Sequence, residues 1–76
     1  MLNFKIDESE SLGRFIIVSN EKESVCIITQ DRNIHFQKYY DNEIVLTGEE
    51  LHEIATKANH FELYFKRIRE KELKGV

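Results

Sequence analysis

The sequence predicts an α+β fold, an antiparallel four- or five-stranded β-meander followed by a C-terminal helix, and three observations predict it. Up to about residue 46 the chain runs in short, β-branched apolar segments separated by polar turns. It then passes through Ile44-Val45-Leu46-Thr47-Gly48-Glu49-Glu50-Leu51, where an apolar segment meets a helix start within one residue. From Gly48 onward, Leu51, Ile54, Ala58, Phe61, Phe65 and Ile68 follow alternating steps of three and four, an a/d seam on one helix face. The reading is one domain, 1–76, with strands within about 2–46 and a helix over about 48–72.

The elements follow in order. Leu2, Phe4 and Ile6 alternate with Asn3, Lys5 and Asp7, as in a half-buried strand, and the polar run Glu8-Ser9-Glu10-Ser11 closes on Gly13 as a turn. Phe15-Ile16-Ile17-Val18 is apolar on both sides, which suits a central strand. Asn20-Glu21-Lys22-Glu23 has the length and polarity of a hairpin loop, and Val25-Cys26-Ile27-Ile28-Thr29 is a second two-sided run that should pair with the first. Asp31-Arg32-Asn33 turns into a fourth strand running from Ile34 to Tyr40, and Asp41-Asn42-Glu43 turns into a short fifth one at 44–46.

At the helix start, the Thr47 hydroxyl is placed to cap, Glu50 lies three residues on to reach back to the cap's own N–H, and Leu46 can staple onto Leu51. A single helix accounts for six apolar positions and leaves Leu63 exposed. The competing reading stops the helix near Asn59-His60 and makes 61–66 a strand, which accounts for three. A helix of about 25 residues is roughly 37 Å long, whereas a six-residue strand spans roughly 20 Å. Such a helix overhangs its sheet, and Phe61, Phe65 and Ile68 then need a second surface. A second copy of the chain is the expected cover, giving a homodimer.

Size points the same way. A domain of 76 residues hides only roughly 60% of the surface its unfolded chain exposes, and Cys26 is the single cysteine, so no internal disulfide and no Cys₄ or Cys₂His₂ zinc site can form within one chain. Domains without such staples often gain burial by self-association. No apolar run reaches the roughly 18 to 20 residues of a membrane span, and Met1-Leu2-Asn3-Phe4-Lys5 is not a signal peptide, so the expectation is no membrane partner and a cytoplasmic location.

The chemistry-bearing motifs point away from catalysis. His52-Glu53 begins like a zincin helix, but position 56 is Thr56 where the second histidine is needed. Glu49-x-x-His52 has di-metal spacing but lacks the ligands that neighbouring helices must supply. Cys26 with His35 on a nearby strand raises a nucleophile–base pair, yet a cysteine between Val25 and Ile27 reads as a core residue. Neither a glycine-rich phosphate loop nor a Gly-x-Ser-x-Gly elbow is present. No catalytic residue, cofactor or metal ligand is assigned, and the protein is expected not to be an enzyme.

Charge is distributed unevenly. Residues 1–56 hold five basic against eleven acidic side chains, a balance of −6, while residues 57–76 hold six against three, a balance of +3. The acidic residues sit in the strand loops, with Glu21, Glu23, Asp41 and Glu43 the candidates for meeting a basic partner protein. Lys66, Arg67, Arg69, Lys71 and Lys74 form the basic segment. With Phe36, Tyr39, Tyr40 and Tyr64 as stacking platforms, that segment is the alternative, a single-stranded nucleic-acid-binding dimer. The acidic loops disfavour it, because a nucleic-acid groove needs cations along the phosphates.

The residues 44–51, entering a C-terminal helix after strands, resemble the single-stranded-DNA-binding coactivators of the positive-cofactor-four type. That resemblance implies a small dimer with an antiparallel sheet and single-stranded DNA as ligand. The chain has no tryptophan and lacks that family's basic strand-loop residues. Abundant Lys, Glu, Ile and Asn with scarce Ala and Pro match the bias of small accessory proteins of AT-rich bacteria and their phages. The expectation is therefore a small acidic regulatory or inhibitory protein that covers a partner surface.

Overall fold

In the computed structural model, which describes residues 1–37 and 43–74, four strands form one antiparallel sheet in the order β1-β2-β3-β4. They are β1 (Asn3–Ser9), β2 (Gly13–Ser19), β3 (Ser24–Thr29) and β4 (Ile34–Phe36), followed by α1 (Gly48–Asn59) and α2 (Phe61–Lys74). The α+β class and the meander are as the periodicity predicts.

The turns have local causes. Gly13 closes the β1–β2 hairpin at φ +69, a left-handed conformation that favours glycine, while a Cβ there would meet only the end of the exposed Gln30 side chain, which can shift. Asn20 Oδ1 accepts from the N–H groups of Lys22 and Glu23 at 2.8 and 2.9 Å, an Asx turn that starts the β2–β3 loop. In the β3–β4 turn, Asp31 accepts from the Thr29 hydroxyl and from Asn33, and the Thr29 N–H donates to the Asn33 carbonyl at 3.0 Å.

Residues paired across strands share a face of the sheet. One face carries Phe4, Val18, Cys26 and Phe36 in one row and Ile6, Ile16, Ile28 and Ile34 in the next. Both helices pack on this face: Ile54 and Ala58 of α1 and Phe61 and Phe65 of α2 form one buried cluster with Ile16, Val18, Cys26 and Ile28. The register slips between Val18 and Ser19, and this bulge leaves Val25 without a direct partner while keeping it fully buried.

The predicted cap is present. The Glu50 N–H donates to Thr47 Oγ1 and the Thr47 N–H donates to Glu50 Oε1, each at 3.0 Å. Leu46 packs on the core, but Leu51 is 49% exposed and stands outside it, so the seam begins at Ile54.

Two expectations are corrected, and a third lies partly outside the described residues. Residues 44–46 are not a fifth strand: Ile44 and Leu46 pack on the core while Val45 is 74% exposed, so the chain crosses the core in alternation without a ladder partner. The fourth strand is described only as Ile34–Phe36, and Tyr39 and Tyr40 lie outside the described residues. The helix is not continuous, and 61–66 are helix rather than the competing strand; it breaks at His60 (φ −120, ψ 46) and resumes at Phe61. His60 keeps an N–H bond to the Thr56 carbonyl, and its own carbonyl accepts from Tyr64, both at 3.1 Å. Beyond the break the second helix packs on the core, where Phe61 and Phe65 are 2% and 4% exposed with ring centroids 5.5 Å apart. The apolar seam therefore does not overhang: Phe61 and Phe65 are covered by the chain's own sheet, and Ile68 is half-buried against the same cluster.

Candidate functional site

The sequence-predicted acidic residues are brought together at one end of the sheet. Glu21 and Glu23 lie on the β2–β3 loop, Glu43 lies on the segment leading into α1, and Glu50 lies in its first turn. With Met1, Asn20, Lys22 and Val45 they line a cleft of about 310 Å³. Asp41, the fourth predicted acidic residue, lies outside the described residues. Glu50 is the member that sequence reasoning missed, because its place in the capping box accounted for it; one oxygen holds the Thr47 N–H, and the carboxylate still borders the cleft.

The cleft is negative but not uniformly polar. Four glutamates line it beside Lys22, and the amino group of Met1 lies 3.6 Å from Glu21 Oε1. Met1 and Val45 project at its rim, 91% and 74% exposed. Exposed apolar side chains beside carboxylates suit a protein surface that is both basic and apolar. Among the described residues no three His, Cys, Asp or Glu side chains converge as metal ligands.

The basic segment lies elsewhere. Phe65 and Arg69 of α2 border β1 at Ile6–Glu8, by the β1–β2 hairpin and away from the acidic cleft. Arg14 of β2 meets the same helix, with its guanidinium 5.2 Å from the Phe65 ring centroid and 2.5 Å from Glu62. Arg69 also approaches that ring at 5.0 Å, and Arg67 lies 5.5 Å from the Tyr64 ring. Lys57 lies 4.3 Å from the Phe4 centroid and 4.8 Å from that of Tyr64. Tyr64 and Phe65 of α2 are thus occupied by the chain's own cations, and Phe61 is buried. Lys66, Lys71 and Lys74 are exposed. Phe36, 49% exposed, sits on β4, the opposite edge of the sheet from β1, which α2 contacts. Among the described residues no row of aromatics accompanies the basic helix on one open surface.

The Cys26–His35 pair does not form. Cys26 pairs with Val18 and points into the core, whereas His35 pairs with Ile27 and lies on the other face. Burial pushes the Cys26 thiol up to about 11, which removes thiolate character at neutral pH. His35 Nε2 instead lies 3.5 Å from Thr29 Oγ1. The Thr29 hydroxyl, donating to Asp31, holds that carboxyl below the usual carboxylate range. These contacts stabilise the β3–β4 turn.

No protein-family model, no curated protein and no solved structure matches the chain. The likeness to the positive-cofactor-four type is thus confined to residues 44–51, and 44–46 enter the helix from an unpaired segment rather than from a strand. No helix among the described residues is long and apolar enough to cross a membrane.

Proposed function

We propose that the protein is a non-enzymatic macromolecular interaction module: a small regulatory or inhibitory protein, homodimeric and cytoplasmic, that covers a basic surface of a partner protein with its acidic face. The observation that carries this reading is the convergence of Glu21, Glu23, Glu43 and Glu50 around the exposed Met1 and Val45. Carboxylates set on a surface in this way can occupy positions that phosphates take on a nucleic-acid enzyme. The charges steer encounter, while Met1 and Val45 supply apolar contact that a purely ionic patch lacks.

The test is affinity capture from the native host on two baits, the wild type and a variant with Glu21→Gln, Glu23→Gln and Glu43→Gln. A basic protein retained by the first bait and lost from the second supports the reading. Identical retention by both baits, or retention of nothing, counts against it. The second reading, single-stranded nucleic-acid binding by α2, draws on the exposure of Lys66, Lys71 and Lys74 away from the acidic cleft.

A further inference from the structure

We infer that the sheet face turned away from the helices is the surface on which two copies of this chain pair. The inference rests on the homodimer in the reading above and gives it a location different from Phe61, Phe65 and Ile68. Across this face one row runs Lys5, Ile17, Ile27, His35 and the next runs Asp7, Phe15, Thr29. Phe15, Ile17 and Ile27 are half-buried and take no part in the core cluster. An antiparallel sheet with one solvated face ordinarily alternates apolar and polar along its strands. Here β2 presents Ile16 and Val18 to the core and Phe15 and Ile17 to the other side, so both faces are apolar at the centre.

The charges identify a second copy as the occupant. Lys5 and Asp7 are both exposed, lie two residues apart on β1 and point to this same face. A two-fold axis lying between the stacked sheets and crossing the strands sets each row of one copy against the other row of its partner. Lys5 then faces Asp7 of the second copy, Asp7 faces its Lys5, and Ile17 lies over Phe15. The pattern is self-complementary, as an isologous interface requires, and facing sheets stack about 10 Å apart, a gap that a lysine and an aspartate can span together. Strand spacing and length limit the face to about 350 Å² per copy, below the roughly 800 Å² per partner of a standard interface. The dimer is therefore weak and concentration-dependent, with dissociation at about tens of micromolar.

Sedimentation velocity from about one to several hundred micromolar tests this. The wild type should pass from monomer to dimer. Lys5→Asp, an exposed change on an edge strand that leaves the core untouched, should raise the dissociation constant about tenfold by replacing two attractive pairs with repulsive ones. Combining it with Asp7→Lys should restore wild-type association, a rescue that a merely destabilised fold would not give. A wild type that stays monomeric throughout overturns both the interface and the homodimer. A wild-type dimer indifferent to Lys5→Asp and to Ile17→Lys overturns the interface alone.

Discussion

Arg14 and Glu62, 48 residues apart in sequence, meet at 2.5 Å and join β2 to the first turn of α2. Arg14 also lies 5.2 Å from the Phe65 ring, so one guanidinium serves a carboxylate and an aromatic face together. Partly exposed ion pairs contribute little, about 0–1 kcal/mol, while a cation over a ring adds about 0.5–1 kcal/mol at an exposed site. Arg14→Ala is therefore expected to cost more in urea unfolding than Glu62→Gln, about 1 to 1.5 kcal/mol against about 0.5. Equal losses would show that the ring contact contributes nothing.

Thr47→Ala removes the hydroxyl that holds the Glu50 N–H. The expected cost is about 0.5–2 kcal/mol, a large share of the stability of so small a domain. Thermal melting checks it, because the loss should lower Tm by several degrees. Thr47→Ser, which retains the hydroxyl, should recover most of the loss.

Cys26 gives a pH signature. Its thiol titrates near 9.0 in a solvated reference and near 11 when folded. Below pH 9 both the folded and unfolded chains hold the proton, and the group's contribution is fully present. As pH rises from 9 toward 11 the unfolded chain ionises first, so stability falls, by on the order of 2–3 kcal/mol in total. Chemical denaturation across this window should show a steeper decline for the wild type than for Cys26→Ala. Alkylation by iodoacetamide at pH 8 should be slow until denaturant is added; rapid labelling of the native protein would contradict the core placement.

Much of the fold is legible in the sequence because local rules and tertiary packing agree there. The two-sided apolar runs at 15–18 and 25–28 become the central strands, and Thr47 with Glu50 marks the helix start. A stop at His60 is legible, but the helix that resumes at Phe61 is not, because the apolar period passes through the break unchanged and one hydrogen bond, His60 N–H to the Thr56 carbonyl, continues the first helix. Asn59-His60 reads as a stop, but which element follows depends on whether Phe61 and Phe65 can reach the core, a long-range property. Residues 44–46 mislead for a related reason: alternation reports which side chains face inward, whereas a strand also needs a neighbour to pair with. The acidic residues are individually visible, but their meeting is not. Glu43 approaches the β2–β3 loop only because the segment before α1 returns across the core, and Glu50 is masked by its local role as a cap.

The last expectation separates the two functional readings through salt. A protein that neutralises several phosphates of a single strand loses affinity with added salt at a log–log slope of roughly −0.7 per phosphate. Here Glu62, Glu70 and Glu72 interrupt the cations of α2, and Arg67 and Arg69 are drawn onto Tyr64 and Phe65. Fluorescence anisotropy with a labelled oligothymidine should therefore give binding no tighter than the non-specific range of about 10⁻⁴–10⁻⁶ M at physiological salt. The variants to compare are Lys66→Gln, Lys71→Gln and Lys74→Gln, because these side chains are exposed and their loss leaves the arginine–ring contacts of the fold intact. Together they should abolish whatever binding remains, while leaving association with a basic protein partner unchanged or slightly faster as the net charge becomes more negative. Nanomolar binding to the oligonucleotide with a steep salt slope, lost in the triple variant, would instead make α2 the functional surface and leave the acidic cleft as the end of the molecule that faces away from the nucleic acid.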